Sequence, residues 1–316
     1  MALRLVRSLA GTLLTLLATS FAIFGAVYAA PGDPVAFLVG GRDNLSEANI
    51  AAVRAQYHLD DPFLVQYGRW LFDALQGDLG RSFQYGDQVA DLVMARLPTT
   101  LSLVAYASML SVVLGVALGA LAAVRRGRVD AAVVAGTTLA ASVPSFVTAI
   151  VLVSAFSVQL GWFPVAGAGE GLAGRMYHLA LPALTLALGS LAVLSRVTRQ
   201  SMVEQWGHDH VEAARGTGMA EGLLVRRHVF RNALGPIVTM CGLLTAGMLA
   251  GTVVVETAFG MSGIGSLLVN AIKTQDFPVA QAVLLLMVVA YIVVTTVVDL
   301  VHPLIDPRVR TEGGRP

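Results

Sequence analysis

The chain has 316 residues, of which 56% are hydrophobic and 13% charged, and its mean hydropathy is +0.72. Soluble domains carry about 25% charged residues, so this composition excludes an ordinary soluble protein and predicts an integral membrane protein. The net charge of +1 says little about partners, and the single cysteine, Cys241, excludes an intrachain disulfide.

The first apolar segment follows Arg4 and Arg7 and runs without charge from residue 8 to residue 32. It is long enough to cross a bilayer, which takes about 20 residues. A cleaved signal peptide is disfavoured because Pro31 would follow the cut. We therefore expect residues 1–30 to form an uncleaved first transmembrane helix whose N-terminus is cytoplasmic.

Residues 31–95 are polar, and their acidic side chains outnumber the basic ones, which favours the extracytoplasmic side. Ser46 is expected to cap one short amphipathic helix. Asp61 and Pro62 are expected to open a second one, which Gly77 ends. We expect these two helices to pack on each other or on the outer surface of the membrane.

Five further apolar runs are long enough to span the membrane: 97–124, 131–160, 176–195, 235–255 and 278–300. Pro98 and Pro236 are expected to open the helices in which they lie. Arginines close the first and third of these runs and indicate the cytoplasmic side: Arg125, Arg126, Arg128, Arg196 and Arg199. The expected fold is an all-α membrane protein with six transmembrane helices, in which residues 96–303 form a five-helix core and residues 304–316 a cytoplasmic tail.

Two glycine pairs have the spacing that allows membrane helices to approach closely. Gly115 and Gly119 lie in the run 97–124, and Gly247 and Gly251 lie in the run 235–255. Each pair predicts a close helix contact.

Pro144 interrupts the run 131–160 and is expected to kink its helix, because proline removes a backbone hydrogen bond. The hydroxyls of Ser142, Ser145 and Thr148 are near enough in sequence to satisfy the carbonyl that proline leaves free. Two interpretations remain open: a wall of a transport pathway, or an ordinary packing kink.

Residues 204–232 form the longest polar interruption in the second half of the chain. Asp209 is expected to cap a short helix, with Glu212 three residues later as in a capping box. Gly218 is expected to turn the chain at the end of that helix with a positive φ. A second short helix is expected over residues 220–230.

The sequence Glu212-Ala213-Ala214, followed by Gly218, resembles the cytoplasmic loop of ABC importer permeases. Further stretches resemble the dipeptide/oligopeptide permeases: residues 31–34, 77–82 and 181–186, His228, Arg231-Asn232-Ala233, Pro236, and residues 306–308. The chain departs from the family's usual pattern at four positions: Gly216, Thr217, Gly235 and Ser262.

This resemblance implies the fold of a type I ABC importer permease, with loop 204–232 as the helix that couples the channel to an ATPase. It implies a coupling role for Glu212, Ala213, Ala214, Arg215, Gly218, Arg231 and Asn232, with Ala213 and Ala214 keeping one face narrow. The implied partners are a second homologous permease, two cytoplasmic ATPases, an extracytoplasmic substrate-binding protein and membrane lipid, with no nucleic acid.

The resemblance also implies a transport subunit of the inner (plasma) membrane rather than an enzyme, and the expected topology places both termini in the cytoplasm. Its sole lysine, Lys273, follows Ile272, so the Gly-Lys-Ser/Thr pattern of a P-loop is absent from the sequence. ATP and magnesium are therefore expected on partner subunits, and no metal or cofactor on this chain. The resemblance implies a peptide or a similar small solute as cargo; permeases of this kind also carry nickel chelates, glutathione or sugars, and the sequence does not distinguish among them.

Two other classes compete with this interpretation. Ser262 in a Gly-x-Ser-Gly pattern, with His302, has the residue types of an intramembrane serine protease. However, the expected topology separates them by a span of about 33 Å, and a nucleophile needs its base within hydrogen-bond reach. An ion-coupled secondary transporter places ionisable residues at mid-membrane, whereas the apolar runs carry no charge at their centres. His208 and His210 lack a third ligand at a convincing spacing for a metal site.

The expected topology is testable by thiol labelling of intact cells. Single cysteines at Ser46 and Glu221, in a Cys241→Ser background, should differ in reactivity toward an impermeant thiol reagent. The position at Ser46 should react and the position at Glu221 should not, because acid excess and arginine excess fall on their respective segments. The reverse pattern would overturn the topology.

Overall fold

The computed structural model describes residues 2–29, 60–167 and 169–305, and in this part of the chain the fold is all-α, as predicted. The helices are α1 (Ala2–Tyr28), α2 (Phe63–Leu75), α3 (Val89–Val124), α4 (Arg128–Ser142), α5 (Ser145–Gln159), α6 (Gly171–Trp206), α7 (Asp209–Gly216), α8 (Glu221–Ala258), α9 (Ile264–Lys273) and α10 (Phe277–Ile305). The helix expected after Ser46 lies outside the described residues.

Within the described ranges, five helices are long and apolar enough to cross a membrane: α1, α3, α6, α8 and α10. Helices α4 and α5 pass the same test together but meet at an angle of 97°. Counted as one broken span, they give the six spans predicted.

Several helices extend well beyond the apolar runs from which they were predicted. Pro98 lies inside α3 and Pro236 inside α8, so the expectation that each opens its helix is wrong. The residues before Pro98 continue the helix because Val89 and Val93 are buried there. Before Pro236, α8 passes through a π-helical stretch, Val225–Phe230, so the short helix expected over residues 220–230 and the membrane helix that follows it form one helix. Membrane helices tolerate internal proline where neighbouring groups satisfy the freed backbone.

The chain forms two compact units, the first of which comprises residues 1–99 and 262–290. In this unit α2 presents the apolar stripe expected from its sequence to the first helix, α1. The ring of Tyr67 lies 5.2 Å from that of Phe21 and 5.7 Å from that of Phe24. The Tyr67 hydroxyl also lies 2.9 Å from Ser20 Oγ. Edge-to-face aromatic packing therefore holds α2 on α1.

The first unit also contains a buried carboxylate, Asp276, between α9 and α10. It accepts hydrogen bonds from Ser82 Oγ at 2.5 Å, from the Phe83 amide at 3.1 Å and from the Gln84 amide at 3.3 Å. Three donors compensate the desolvation of a carboxylate that is 1% exposed. The turn after the stretch 77–82 is thereby fixed to the segment before α10.

The second unit comprises residues 100–261 and 291–316, and glycines set the distances between its helices. A Cβ at Gly119 of α3 would overlap the carbonyl oxygen of Ser195 and lie 2.6 Å from Thr198 Cβ, so α3 and α6 are in backbone contact there. A Cβ at Gly251 of α8 would lie 2.7 Å from Leu186 Cδ1. The predicted close approaches are confirmed at these glycines, whereas Gly247 has open space around it.

Candidate functional site

Helix α7 lies between α6 and α8 in the chain and rests on a compact apolar core. Val211 is fully buried and Ala214 is 8% exposed. They pack into one cluster with buried side chains from the end of α3, the second half of α6 and the first half of α8: Ala123, Leu194, Met202, Leu224, Val229, Ala233 and Ile237. An eight-residue helix is not stable by itself. The cluster therefore supplies what holds α7 in place.

The start of α7 differs from the expected capping box. Asp209 is the first residue of the helix, and His208 precedes it without a side-chain cap. The carbonyl of His208 instead accepts the amides of Val211 at 2.9 Å and Glu212 at 3.4 Å. With Asp209 and Glu212 in the first turn, the acidic side chains still suit the positive end of the helix dipole. Glu212 is consequently free of a capping role and exposed.

The end of α7 follows the prediction. Thr217 closes the helix, and its Oγ1 donates to the carbonyl of Ala214 at 2.7 Å. Gly218 follows with φ +79°, and a Cβ there would meet nothing within 4 Å. A side chain at Gly218 would therefore strain the backbone without a steric clash.

The exposed side of α7 includes Glu212, Ala213 and Arg215, and we call these three residues the ridge. The expectation that Ala213 and Ala214 share one narrow exposed face is wrong. Because successive residues of a helix differ by 100°, Ala214 follows Val211 into the core while Ala213 points away from it. The guanidinium of Arg215 lies 5.4 Å from the centre of the Trp206 ring, a cation–π contact that limits its freedom.

Asn232 joins α7 to α8. Its Nδ2 donates to the carbonyl of His228 at 2.6 Å and lies 3.1 Å from Nε2 of His210. The His210 ring lies 5.6 Å from that of His208 and 6.4 Å from that of His228. The first pair of rings is stacked and the second is tilted. In the described part of the chain no group of His, Cys, Asp or Glu side chains could hold a metal ion. Arg231, the neighbouring predicted residue, is exposed.

A second feature is a cavity of about 480 Å³ at the break between α4 and α5. Pro144, Ser145 and Thr148 line it from the break, and the other walls come from α6 and α8: Thr185, Leu186, Leu188, Gly189, Ser190, Val193, Leu243, Leu244, Gly247, Met248 and Gly251. None of its lining residues, all of them in described ranges, is charged.

The break itself is sharper than the expected kink, because Val143 and Pro144 are both extended and separate the two helices. Ser142 does not line the cavity; its Oγ donates to the carbonyl of Thr138 at 2.8 Å. Thr148 Oγ1 donates to the carbonyl of Pro144 itself, at 3.3 Å. The hydroxyls therefore cap local carbonyls on either side of the break.

Two polar contacts within the second unit were not anticipated. Asp130 of α4 and Arg199 of α6 form a bidentate pair, with Nε–Oδ1 at 2.5 Å and Nη2–Oδ2 at 2.6 Å. Glu256, near the end of α8, is fully buried and accepts a hydrogen bond from Thr100 Oγ1 at 2.6 Å. Both acids lie at the ends of apolar runs, where hydropathy alone does not distinguish a solvated charge from a paired one.

Comparison with known proteins identifies the family of this chain. Residues 115–311 match the family described as binding-protein-dependent transport system inner membrane component, and residues 1–104 match its N-terminal family. The chain is 37% identical to a probable peptide ABC transporter permease protein of Sinorhizobium fredii, over 98% of this chain and 100% of that protein. It is 33% identical to the oligopeptide transport system permease protein AppB of Bacillus subtilis, over 98% of this chain and 99% of that protein.

Among solved structures, an inward-facing MetNI methionine ABC transporter aligns with TM-score 0.58 and 18% identity, over 68% of this chain and 96% of that one. An amino acid ABC transporter aligns with TM-score 0.53 and 17% identity, over 67% and 93%. These likenesses show the type I importer permease fold, and the family displaces both the protease and the secondary transporter. The chain belongs to the binding-protein-dependent transport system inner membrane components and is a membrane-spanning permease subunit of an ABC importer.

Proposed function

We propose that this chain forms one half of the translocation pathway of a peptide importer. In this proposal it pairs with a second homologous permease, engages two cytoplasmic ATPases and receives cargo from an extracytoplasmic substrate-binding protein. The peptide cargo is supported by the two full-length relatives, both of which carry names of peptide permeases. The ridge of α7 is the observation that carries the coupling role.

The ridge has the properties that force transmission requires. Its exposed residues lie on a helix whose opposite face is buried against the end of α6 and the beginning of α8, so a movement of α7 would move those segments too. A short helix with an exposed face suits docking into a groove of a partner. We assign the contact with the ATPase to Glu212, Ala213 and Arg215, with Arg231 of α8 as a further exposed charge. Ala214, Gly218 and Asn232 act as supports of the ridge.

The cavity is proposed as part of the pathway. Its walls offer hydroxyls, glycine backbone and apolar side chains without charge. Such a surface can bind a peptide through its backbone and through van der Waals contacts, without selecting for charged side chains. Selection among cargoes then falls to the substrate-binding protein.

The orientation follows from the arginine distribution. We place both termini, the α3–α4 turn and α7 in the cytoplasm, and residues 31–95 outside, with ATP and magnesium on the ATPase partners. The absence of a P-loop in the sequence supports that division of labour.

The coupling role is tested with Ala213→Trp and Gly218→Val. Ala213→Trp adds bulk to the ridge, and Gly218→Val strains a left-handed backbone by about 1 kcal/mol or more. Both variants should insert normally and pair with the second permease, but should weaken co-purification of the ATPases or lower substrate-stimulated ATP hydrolysis. Glu212→Ala should have the same effect more mildly.

Two controls separate docking from folding. Gln76→Trp, on an exposed position after α2, should leave ATPase binding unchanged. Ala214→Trp should instead reduce the yield of folded chain, because it overpacks a buried site at a cost of about 1–3 kcal/mol or more. If Ala213→Trp and Gly218→Val both match Gln76→Trp, α7 is not the coupling element.

The pathway role is tested by filling the cavity. Ser145→Trp and Thr148→Trp should reduce peptide uptake while leaving assembly and basal ATP hydrolysis largely intact, because both positions line the open space. Ser142→Trp is the matched control, since Ser142 is exposed and lies off the cavity. Normal uptake by both cavity variants, measured in proteoliposomes with the binding protein, would remove the cavity from the pathway.

A further inference from the structure

The walls of the cavity differ in how they connect to α7. Helix α6 runs directly into α7, and α8 begins shortly after it, so these two walls are continuous with the coupling element. The third wall, at the break between α4 and α5, has no such covalent continuity. Its motion can follow that of α7 only through packing: α4 and α5 both pack on α6, and α5 also packs on α8.

Two side-chain contacts supply such a link. The Asp130–Arg199 pair joins the first turn of α4 to α6 through both carboxylate oxygens. One turn earlier in α6, Arg196 Nη2 lies 3.4 Å from Thr138 Oγ1 of α4. Asp130 is 17% exposed and Arg199 35% exposed, so water screens the pair only in part. A bidentate fork also fixes direction, which a single charge contact does not.

The position of the pair suits a mechanical connection. Arg199 precedes the end of α6 by seven residues, which corresponds to about 10 Å of helix. Asp130 precedes the break after Ser142 by twelve residues, or about 18 Å. A displacement of α7 that shifts the end of α6 would therefore be passed to the first turn of α4 at Asp130. It would reach the cavity at the opposite end of α4, where the break after Ser142 lies.

We propose that Asp130 and Arg199 are positioning residues that couple α7 to the cavity wall at the α4–α5 break, so that ATPase-driven movement of α7 opens or closes that wall. This inference rests on the proposed function and extends it, because it assigns the link to a residue pair that touches neither the ATPase nor the cargo. The pair acts through the helices that it joins.

The test uses the complete importer, with this chain, its second permease, both ATPases and the binding protein in proteoliposomes. Asp130→Ala and Arg199→Ala should lower uptake and substrate-stimulated hydrolysis by roughly 3- to 30-fold, the range typical of single residues that carry coupling between sites. Basal hydrolysis and ATPase co-purification should stay at the wild-type level. Arg125→Ala, which removes an exposed arginine just before α4, is the matched control and should couple normally.

The reversed pair distinguishes coupling from a merely structural role. The double variant Asp130→Arg with Arg199→Asp preserves net charge and should transport better than either single reversal. It should not reach the wild-type rate, because Arg126 also acts electrostatically on position 130 and would repel an arginine there. Arg199→Lys should fall between wild type and Arg199→Ala, since lysine keeps the charge but not the fork.

Normal stimulated hydrolysis and uptake in Asp130→Ala and Arg199→Ala would overturn the inference while leaving the proposed function intact. No improvement of the double reversal over both single reversals would also overturn it. Failure of the wild-type chain to bind ATPases would refute the proposed function first, and the inference with it.

Discussion

The burial of Val211 and Ala214 beneath α7 is the constraint on which the rest of the proposed mechanism depends. A helix of eight residues exists here because the ends of α6 and α8 provide an apolar surface that it covers. Since the same side chains belong to long apolar helices, the proposed coupling helix α7 and the helices that line the cavity share one core. Close packing makes such a core stiff, so a displacement of α7 is transmitted rather than absorbed.

The break at Pro144 complements that stiffness. It interrupts a span at the point where a cavity opens, and its hydroxyls bind carbonyls of their own helices rather than each other. The walls contributed by α6 and α8 carry Gly189 and Gly247, whose small size leaves room in the cavity. The short helix α7 and the broken helix formed by α4 and α5 therefore both contact the same long helix, α6.

Hydropathy and motif order were sufficient to predict the fold class, the spans and the place of α7. Gly218 could be predicted because a positive φ has a local signature in sequence. The burial of Ala214 could not, because alanine suits a helix surface and a helix core equally well, and its facing depends on how α6 and α8 meet. The capping box was wrong for a different reason: the helix already begins at Asp209, so His208 occupies the position before it and its side chain forms no cap.

Contacts between side chains that are distant in the sequence could not be predicted. Asp130 and Arg199 each fit the pattern of charges at the ends of membrane segments, and only the packing of α4 on α6 brings them together. The contact between Asn232 and His210 likewise depends on the π-helical stretch of α8. No local residue pattern predicted that stretch. The aromatic stripe of α2 was visible in the sequence, but the identity of its partner helix was not.

The central claim is that the ridge of α7 contacts an ATPase while the opposite face stays buried in the permease. The most direct measurement is the rate of maleimide modification of single cysteines at Ala213 and Ala214, in a Cys241→Ser background, in detergent with and without bound ATPases. The account predicts that the cysteine at position 213 reacts readily in the permease alone and is protected when ATPases bind, while the cysteine at position 214 reacts slowly in both states. Equal modification of position 213 with and without ATPases would contradict it.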